Sequence, residues 1–231
     1  MIMKPCNPTN RKTGKQVYMK IIAMAAQKGG TGKTTFATHI SVLAQTGGKK
    51  VLLVDLDDPQ FSAKSWWNSR EVDTPRLAET DIERLPEVLK AAQAEGIDYC
   101  IIDTAPRVNR AARKVIQLAD LCVIPCQPGR FDMEAIGETI EIARESKTRA
   151  FVALNRCQPG RKNKEAATTE DARNGIEEHY KVKVSPATIG QRVILSTALN
   201  NGSAVHEIEP HSVAAKEMKA LWNCIKKELA A

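Results

Sequence analysis

The amino-acid sequence predicts an α/β fold, in which a doubly wound, mainly parallel sheet carries helices on both faces. Short apolar runs alternate with longer helical stretches from residue 20 onward, as in a chain built from β-α units. These runs are almost continuously apolar, which is typical of parallel strands that are buried on both faces. A glycine-rich segment at residues 27–35 joins the first run to the first helical stretch, and it indicates a ligand site at one edge of the sheet.

The individual elements follow from the apolar runs and from the residues that end them. A helix is expected over residues 34–44, because Gly47 and Gly48 would end it. A later helix is expected over residues 83–94, with Gly96 as its stop. Strands are expected at residues 21–26, 51–54, 99–102, 121–124 and 151–154, with helices between them.

Length and composition bound the class of protein. The 231 residues suit one α/β domain, and no apolar run approaches the roughly 18 residues that span a bilayer. The net charge of +7 favours acidic partners such as nucleic acid or anionic lipid. The six cysteines are scattered, and the pair Cys122 and Cys126 lacks the further ligands that a metal site needs. We therefore expect a soluble, cytoplasmic protein with reduced cysteines.

Residues 1–18 differ in character from the rest of the chain. They carry four basic side chains among prolines and asparagines and show no apolar periodicity, which predicts a disordered basic tail. Met19 directly precedes the first strand, so that translation could begin at Met1 or at Met19. A single domain is then expected over residues 19–231, and the tail either touches DNA or is a solvated extension.

The glycine-rich segment has the chemistry of a phosphate-binding loop. A strand that breaks at glycines and restarts as a helix points several backbone N–H groups into one concavity, where the helix dipole favours an anion. Lys33 would reach the β and γ phosphates of a nucleotide, and the Thr34 hydroxyl would ligate the accompanying Mg²⁺. The strict loop pattern has glycine where this chain has Gln27, and a second lysine, Lys28, comes next. Lys28 is interpreted as a cation for another subunit's nucleotide. The simpler alternative for the whole segment is a glycine-rich turn with surface lysines.

Polar side chains follow three of the predicted strands. An acidic segment at residues 55–60 comes after the second strand, Asp103 after the third, and Asn155 after the last. The carboxyl ends of parallel strands meet at one edge of a sheet, so we expect these groups to converge on the phosphate loop. Hydrolysis of a γ phosphate needs an oriented water and neutralisation of charge, and the carboxylates suit both tasks. The amide of Asn155 suits hydrogen bonds to the edge of adenine.

Residues 28–35 resemble the deviant Walker A motif of the ParA/MinD family of ATPases. The resemblance implies a P-loop NTPase fold of the deviant Walker A type, ATP and Mg²⁺ as ligands, and a homodimer that encloses two nucleotides. It also implies weak ATPase activity that a partner stimulates, with Lys28 reaching the other subunit's ATP. The expected nucleotide-binding residues are Lys28, Gly29, Gly30, Thr31, Gly32, Lys33, Thr34, Thr35 and Asn155.

The acidic segment resembles the family pattern D-x-D-P-Q with one aspartate inserted. By resemblance, the second aspartate orients the attacking water and the first, Asp55, lies near the metal. Counting forward from the strand selects Asp57 as the catalytic aspartate, whereas counting back from Pro59 selects Asp58, and we favour Asp57. The expected catalytic residues are Lys28, Lys33 and Asp57, and the expected metal ligands are Thr34, Asp55 and Asp103, the last through water.

Later segments resemble the short class of ParA proteins, which lacks an N-terminal helix-turn-helix. In this family the ATP-bound dimer binds double-stranded DNA without sequence preference through basic residues late in the chain, and Arg192, Lys219 and Lys226 are the candidates here. The resemblance further implies a ParB-like or other small cargo-bound partner protein and a cytoplasmic, nucleoid-associated location. The cargo is left open among a plasmid, a chromosome and a microcompartment.

Two alternatives remain at this stage. A MinD-like membrane-associated ATPase would need an amphipathic anchor, and an apolar stripe does run along the last predicted helix at Met218, Leu221, Trp222, Ile225 and Leu229. A terminal helix docked on the sheet produces the same stripe, and we favour docking and expect no stable membrane insertion. The second alternative is a nucleotide-switched adaptor without turnover, against which the acidic segment argues.

Overall fold

The protein is described by a computed structural model that covers residues 18–57, 60–106, 110–160 and 164–231. The strands, in chain order, are β1 (Lys20–Met24), β2 (Val51–Asp55), β3 (Arg76–Glu79), β4 (Tyr99–Asp103), β5 (Leu121–Cys126), β6 (Arg149–Leu154) and β7 (Lys183–Val184). They form a seven-stranded sheet in the order β3-β2-β4-β1-β5-β6-β7, and every neighbouring pair is parallel. The predicted α/β fold with a parallel sheet is confirmed.

Helices connect the strands and follow the last one. In the part of the chain that the structure describes, they are α1 (Lys33–Ala44), α2 (Ser62–Asn68), α3 (Leu85–Ala94), α4 (Arg110–Leu118), α5 (Arg130–Ala135), α6 (Gly137–Glu145), α7 (Ala167–Tyr180), α8 (Val193–Asn200), α9 (Val205–Ile208) and α10 (Val213–Ala230).

Side chains of the central strands alternate between the two faces of the sheet. On β4, Ile101 joins one apolar cluster, and its neighbours Cys100 and Ile102 join another on the opposite face. The first face is covered by α1, α2, α8, α9 and α10, and the other by α3, α4, α6 and α7. Because helices cover both faces, the carboxyl ends of the strands are left as the place for a ligand.

The five predicted strands are all present, whereas the two strands at the edges of the sheet were not predicted. The edge strand β3 is a short Arg-Leu-Ala-Glu segment with exposed ends, and β7 has only two residues. An edge strand is buried on fewer sides, so it needs fewer apolar residues and leaves a weaker pattern in the sequence. Of the predicted tail, residues 1–17 lie outside the described part of the chain.

The C-terminal helix α10 is docked on the sheet, as predicted. All five apolar residues of its stripe are buried in the cluster that also contains α1. The ring of Trp222 meets that of Tyr99 on β4 edge to face, with the ring centroids 5.1 Å apart. The stripe therefore has a partner within the fold, which removes the observation that favoured a membrane anchor.

The structure was also searched for membrane-spanning helices. Across the described ranges, none of the helices is long and apolar enough to cross a bilayer.

A histidine is buried inside the helix that follows the glycine-rich loop. His39 of α1 has no exposed surface, and its Nδ1 lies 2.8 Å from the carbonyl oxygen of Thr35, to which it donates. Its Nε2 has no hydrogen-bond partner among the described residues. The pKa of His39 is lowered to about 4, mainly by burial and also by His206 on α9, while the Thr35 carbonyl and Glu207 act in the opposite direction. His39 is therefore neutral in the folded protein at ordinary pH.

This burial predicts a loss of stability in mild acid. Between pH 6.5 and pH 4 the unfolded chain takes up a proton at His39 and the folded protein does not, so that the free energy of unfolding falls as the pH falls. Urea unfolding at pH 7 and pH 4.5 should show wild type losing about 2 kcal/mol more than His39→Gln. Exposed His179 provides the matched control, because His179→Gln should keep the wild-type dependence on pH. Equal losses for wild type and His39→Gln would contradict this role for His39.

Candidate nucleotide-binding site

The glycine-rich loop joins the carboxyl end of β1, the central strand, to the N-terminus of α1. Gly32 immediately precedes α1 with φ of 111°, a backbone conformation that residues with a Cβ rarely adopt. No side chain caps the first N–H groups of α1, and its first turn has no acidic residue. These free N–H groups and the positive end of the helix dipole suit a phosphate.

Lys33 lies inside this loop rather than on the surface. Its side chain is buried, and its Nζ donates to the backbone carbonyl of Lys28 at 3.3 Å. Burial lowers the pKa of Lys33, while the carboxylates of Asp103 and Asp57 raise it. The predicted phosphate lysine and both aspartates thus meet at the carboxyl edge of the sheet.

Asp103 ends β4 and is the least satisfied polar group of the site. It is fully buried, and neither carboxylate oxygen accepts a well-formed hydrogen bond from any described residue. Burial raises the pKa of Asp103 to about 7, whereas the nearby Thr34 hydroxyl and the charge of Lys33 lower it. A buried carboxylate without partners is costly, and a cation or its water shell would satisfy it. Asp103 and Thr34 therefore fit the predicted Mg²⁺.

The two described aspartates after β2 have different surroundings. Asp55 accepts hydrogen bonds from the backbone N–H groups of Asp57 at 3.0 Å and Lys64 at 2.9 Å, one on each carboxylate oxygen. It therefore links the backbone of Asp57 to the first turn of α2. Asp57 is buried, and its pKa is raised by burial and by Asp55 while Lys33 lowers it. Asp58 lies outside the described residues, so the choice between Asp57 and Asp58 stays a prediction.

Asn155, just beyond β6, contacts the loop directly. Its Nδ2 donates to the backbone carbonyl of Thr31 at 2.7 Å, and a Cβ on Gly32 would overlap its side-chain amide. The prediction that Asn155 binds adenine remains untested, and the structure adds a role in positioning the loop. The strand-end position signalled a site residue, but this contact could not be read from the sequence.

Lys28 extends from the outer side of the loop. Its side chain is 47% exposed, and its Nζ makes an ion pair of 2.9 Å with Asp132 of α5.

Two further contacts join the loop to the elements after β5. Gln127, which follows β5, donates to the carbonyl of Gly30 at 3.1 Å, and Gln27 contacts Glu138 of α6. Sequence analysis missed these three partners, because no motif marks them and only the pairing of β5 with β1 brings them to the loop.

The three candidate DNA-binding residues lie late in the chain, two on α10 and one directly before α8. Lys219 and Lys226 are exposed on α10, with the Lys226 ammonium 5.7 Å from the centre of the Trp222 ring. Arg192 precedes α8, and its guanidinium is paired with Glu217 of α10. The lysines are thus open to solvent, whereas Arg192 already has a carboxylate partner.

The fold and the site together define a class of protein. P-loop proteins that bind a nucleoside triphosphate have a glycine-rich loop between a strand and a helix, with a lysine on that loop and carboxylates at the ends of neighbouring strands. This protein has the loop between the central strand and α1, a buried lysine on it, and aspartates at the ends of β2 and β4.

Comparison with known proteins identifies the family. The family described as the CobQ/CobB/MinD/ParA nucleotide binding domain matches residues 22–205. The chain belongs to this family and is a ParA/MinD-type ATPase.

Relatives and a solved structure agree with this assignment. The chain is 32% identical over 214 residues to the maintenance of carboxysome distribution protein A of Halothiobacillus neapolitanus, covering 87% of this chain and 94% of that protein. It is 26% identical over 235 residues to the chromosome-partitioning ATPase Soj of Thermus thermophilus, covering 87% and 92%. The structure of a Cyanothece McdA variant in complex with ATP shares the fold, with a TM-score of 0.71 at 20% identity, and covers 92% of this chain and 97% of that one.

Proposed function

We propose that this protein positions a cellular cargo by an ATP-controlled cycle of DNA binding. ATP joins two subunits, the dimer binds double-stranded DNA without sequence preference, and a small cargo-bound partner of the ParB-like kind stimulates hydrolysis. The ADP-bound subunits then leave the DNA. The cycle implies a cytoplasmic protein that associates with the nucleoid while ATP is bound. The observation that carries this proposal is the contrast between the two loop lysines, one buried inside the loop and one exposed outside it.

The position of Lys28 supports dimerisation on ATP. Lys33 is already placed to meet phosphates bound by its own loop, so a second cation is not needed inside it. Lys28 instead faces outward, with its side chain 47% exposed, and one ion pair with the mostly buried Asp132 holds it. In the dimer, a partner subunit's phosphates would replace Asp132 as the counterion of the Lys28 ammonium.

The described residues suit each task of hydrolysis. The loop N–H groups and Lys33 bind and orient the phosphates, and Asn155 holds the loop in position. Thr34, Asp55 and Asp103 would hold Mg²⁺, which neutralises phosphate charge when bound. Asp57 lies within electrostatic range of Lys33 and is assigned to orient the attacking water. Asp103 begins the segment that would sense the γ phosphate.

The DNA-binding part of the proposal rests on charge. The chain carries a net charge of +7, and exposed lysines occur along α10 at Lys216, Lys219, Lys226 and Lys227. The names of the relatives, which refer to chromosome partitioning and to carboxysome distribution, favour a cargo-positioning role. The cargo itself would be selected by the partner protein.

The proposal is tested by binding to unrelated double-stranded DNA with ATP, ADP or no nucleotide over a salt series. We expect binding only with ATP, and it should weaken steeply as salt rises because phosphate contacts release counterions. Anionic liposomes serve as the parallel sample. ATP-dependent liposome binding without DNA binding would overturn the proposal in favour of a MinD-like membrane cycle.

Lys28→Ala should abolish both the ATP-induced dimer and ATP-dependent DNA binding, because the other lysine of the loop, Lys33, is buried and cannot replace it. Light scattering with a slowly hydrolysed ATP analogue measures the first effect, and the DNA assay measures the second. Lys90→Ala removes an equally charged, exposed lysine from α3 and should behave as wild type. A Lys28→Ala protein that still dimerises with ATP would show that the lysine does not act across subunits.

A further inference from the structure

Arg192 and Glu217 form a bidentate ion pair on the surface that the proposed function assigns to DNA. The Nε of Arg192 donates to one carboxylate oxygen of Glu217 at 2.9 Å, and a terminal guanidinium nitrogen donates to the other at 2.6 Å. Two parallel hydrogen bonds between charged groups are stronger and more specific than a single contact. The pairing raises the pKa of Arg192.

Glu217 is also held in place by the backbone. The N–H of Gly190 donates to its carboxylate at 3.1 Å, which fixes the acid against the loop before α8. Both members of the pair line a surface cavity of about 360 Å³, together with Gln158 and Lys164. The Arg192 side chain is 33% exposed and that of Glu217 is 20% exposed, so an external phosphate can approach the guanidinium.

The paired Arg192 differs from the lysines of α10, the helix that carries Glu217. Lys216 and Lys219 are exposed to solvent, on either side of Glu217 in the sequence. Their charge is available to a phosphate, whereas the charge of Arg192 is cancelled by a fixed carboxylate. Glu217 accepts two of the five N–H donors of the Arg192 guanidinium, so Arg192 could meet a phosphate with the others only by bringing that acid next to the DNA.

We propose that Glu217 restrains DNA binding by holding Arg192 in an internal ion pair, an inference that rests on the proposed DNA-binding function. Arg192 is then a reserve cation rather than a working DNA contact. The affinity of the dimer for DNA is set below the level that its basic residues would allow, which favours release during the cycle.

Glu217→Gln tests this restraint, because glutamine keeps an acceptor for the Gly190 N–H and removes the charge. We expect the affinity of the ATP-bound protein for DNA to rise roughly threefold to tenfold, with the logarithmic dependence on salt steeper by about 0.9, the value for one added phosphate contact. Arg192→Gln alone should weaken DNA binding, because it leaves the Glu217 carboxylate without its counterion beside the DNA. The double variant Arg192→Gln/Glu217→Gln should lose most of the gain.

Glu228→Gln is the matched control. Glu228 lies on the same helix and pairs with Lys183, so its replacement changes the net charge equally without freeing Arg192. An equal gain in Glu228→Gln, or no gain in a folded Glu217→Gln protein, would overturn the restraint. If wild type and all variants fail to bind DNA with ATP, the proposed function fails as well, so the two failures are distinguishable.

Discussion

Replacing Gly32 with alanine should abolish tight nucleotide binding. The residue has φ of 111°, and a Cβ at this position would overlap the side-chain amide of Asn155. The left-handed backbone alone costs a residue with a Cβ roughly 1–2 kcal/mol. The overlap adds to this cost, because Asn155 is buried and bonded to Thr31, so it cannot move without losing that hydrogen bond.

The loop would therefore shift, and its N–H groups would no longer converge on a phosphate. A combined penalty of about 3 kcal/mol corresponds to roughly a hundredfold loss of ATP affinity. Isothermal titration with ATP and Mg²⁺ measures it directly, and chemical unfolding shows how much of the penalty falls on the fold.

Gly48→Ala is the control for backbone strain alone. Gly48 also has positive φ, at 76°, but nothing lies within 4 Å of a Cβ built there. This variant should lose stability modestly and keep its affinity for ATP. If Gly32→Ala bound ATP as tightly as Gly48→Ala, the contact between Asn155 and the loop would not shape the site.

Replacing Asp57 with alanine should reduce ATP turnover by at least about a hundredfold, the range for loss of a group that positions or deprotonates a reacting water. Asp57 is buried and close enough to Lys33 for their charges to interact. It ligates no phosphate in the proposed arrangement, so ATP affinity should change much less than the turnover number. Steady-state hydrolysis with the stimulating partner, combined with ATP titration, separates the two effects.

Asp58→Ala provides the direct comparison, because it removes the neighbouring carboxylate from the same segment. We expect Asp58→Ala to keep most of the turnover. Full activity in Asp57→Ala together with loss of activity in Asp58→Ala would show that Asp58, and not Asp57, is the catalytic aspartate. Asp57→Asn, which keeps the size of the side chain, tests whether the charge matters.

Local pattern was sufficient to predict the central part of the fold. The strands around Leu53, Ile101 and Val123 are buried on both faces, so their sequences are apolar throughout and easily recognised. The edge strands β3 and β7 have no such requirement and could not be distinguished from loops. The apolar stripe of α10 was visible in the sequence, but its partner, the face of the sheet with Tyr99, became apparent only in the fold.

The candidate site shows the same division. Lys33 was predicted from the glycine-rich loop motif. Asp57 and Asp103 were predicted to approach it because they follow strands whose carboxyl ends meet at one edge of a parallel sheet, and the family resemblance selected Asp57 as the catalytic residue. The contacts of Lys28 with Asp132, and of Arg192 with Glu217, join residues far apart in the chain. No local pattern encodes them.

The sequence by itself determined the fold class, the phosphate loop and the family resemblance, because each depends on the order and spacing of neighbouring residues. Only the tertiary structure decided which side chains contact one another at the site and on the surface. It placed Asn155 against Gly32, left the buried Asp103 carboxylate without a hydrogen-bond donor among the described residues, and paired Arg192 with Glu217. The physical reason is that burial and ion pairing depend on which strands and helices become neighbours, and that arrangement exists only once the whole sheet has formed.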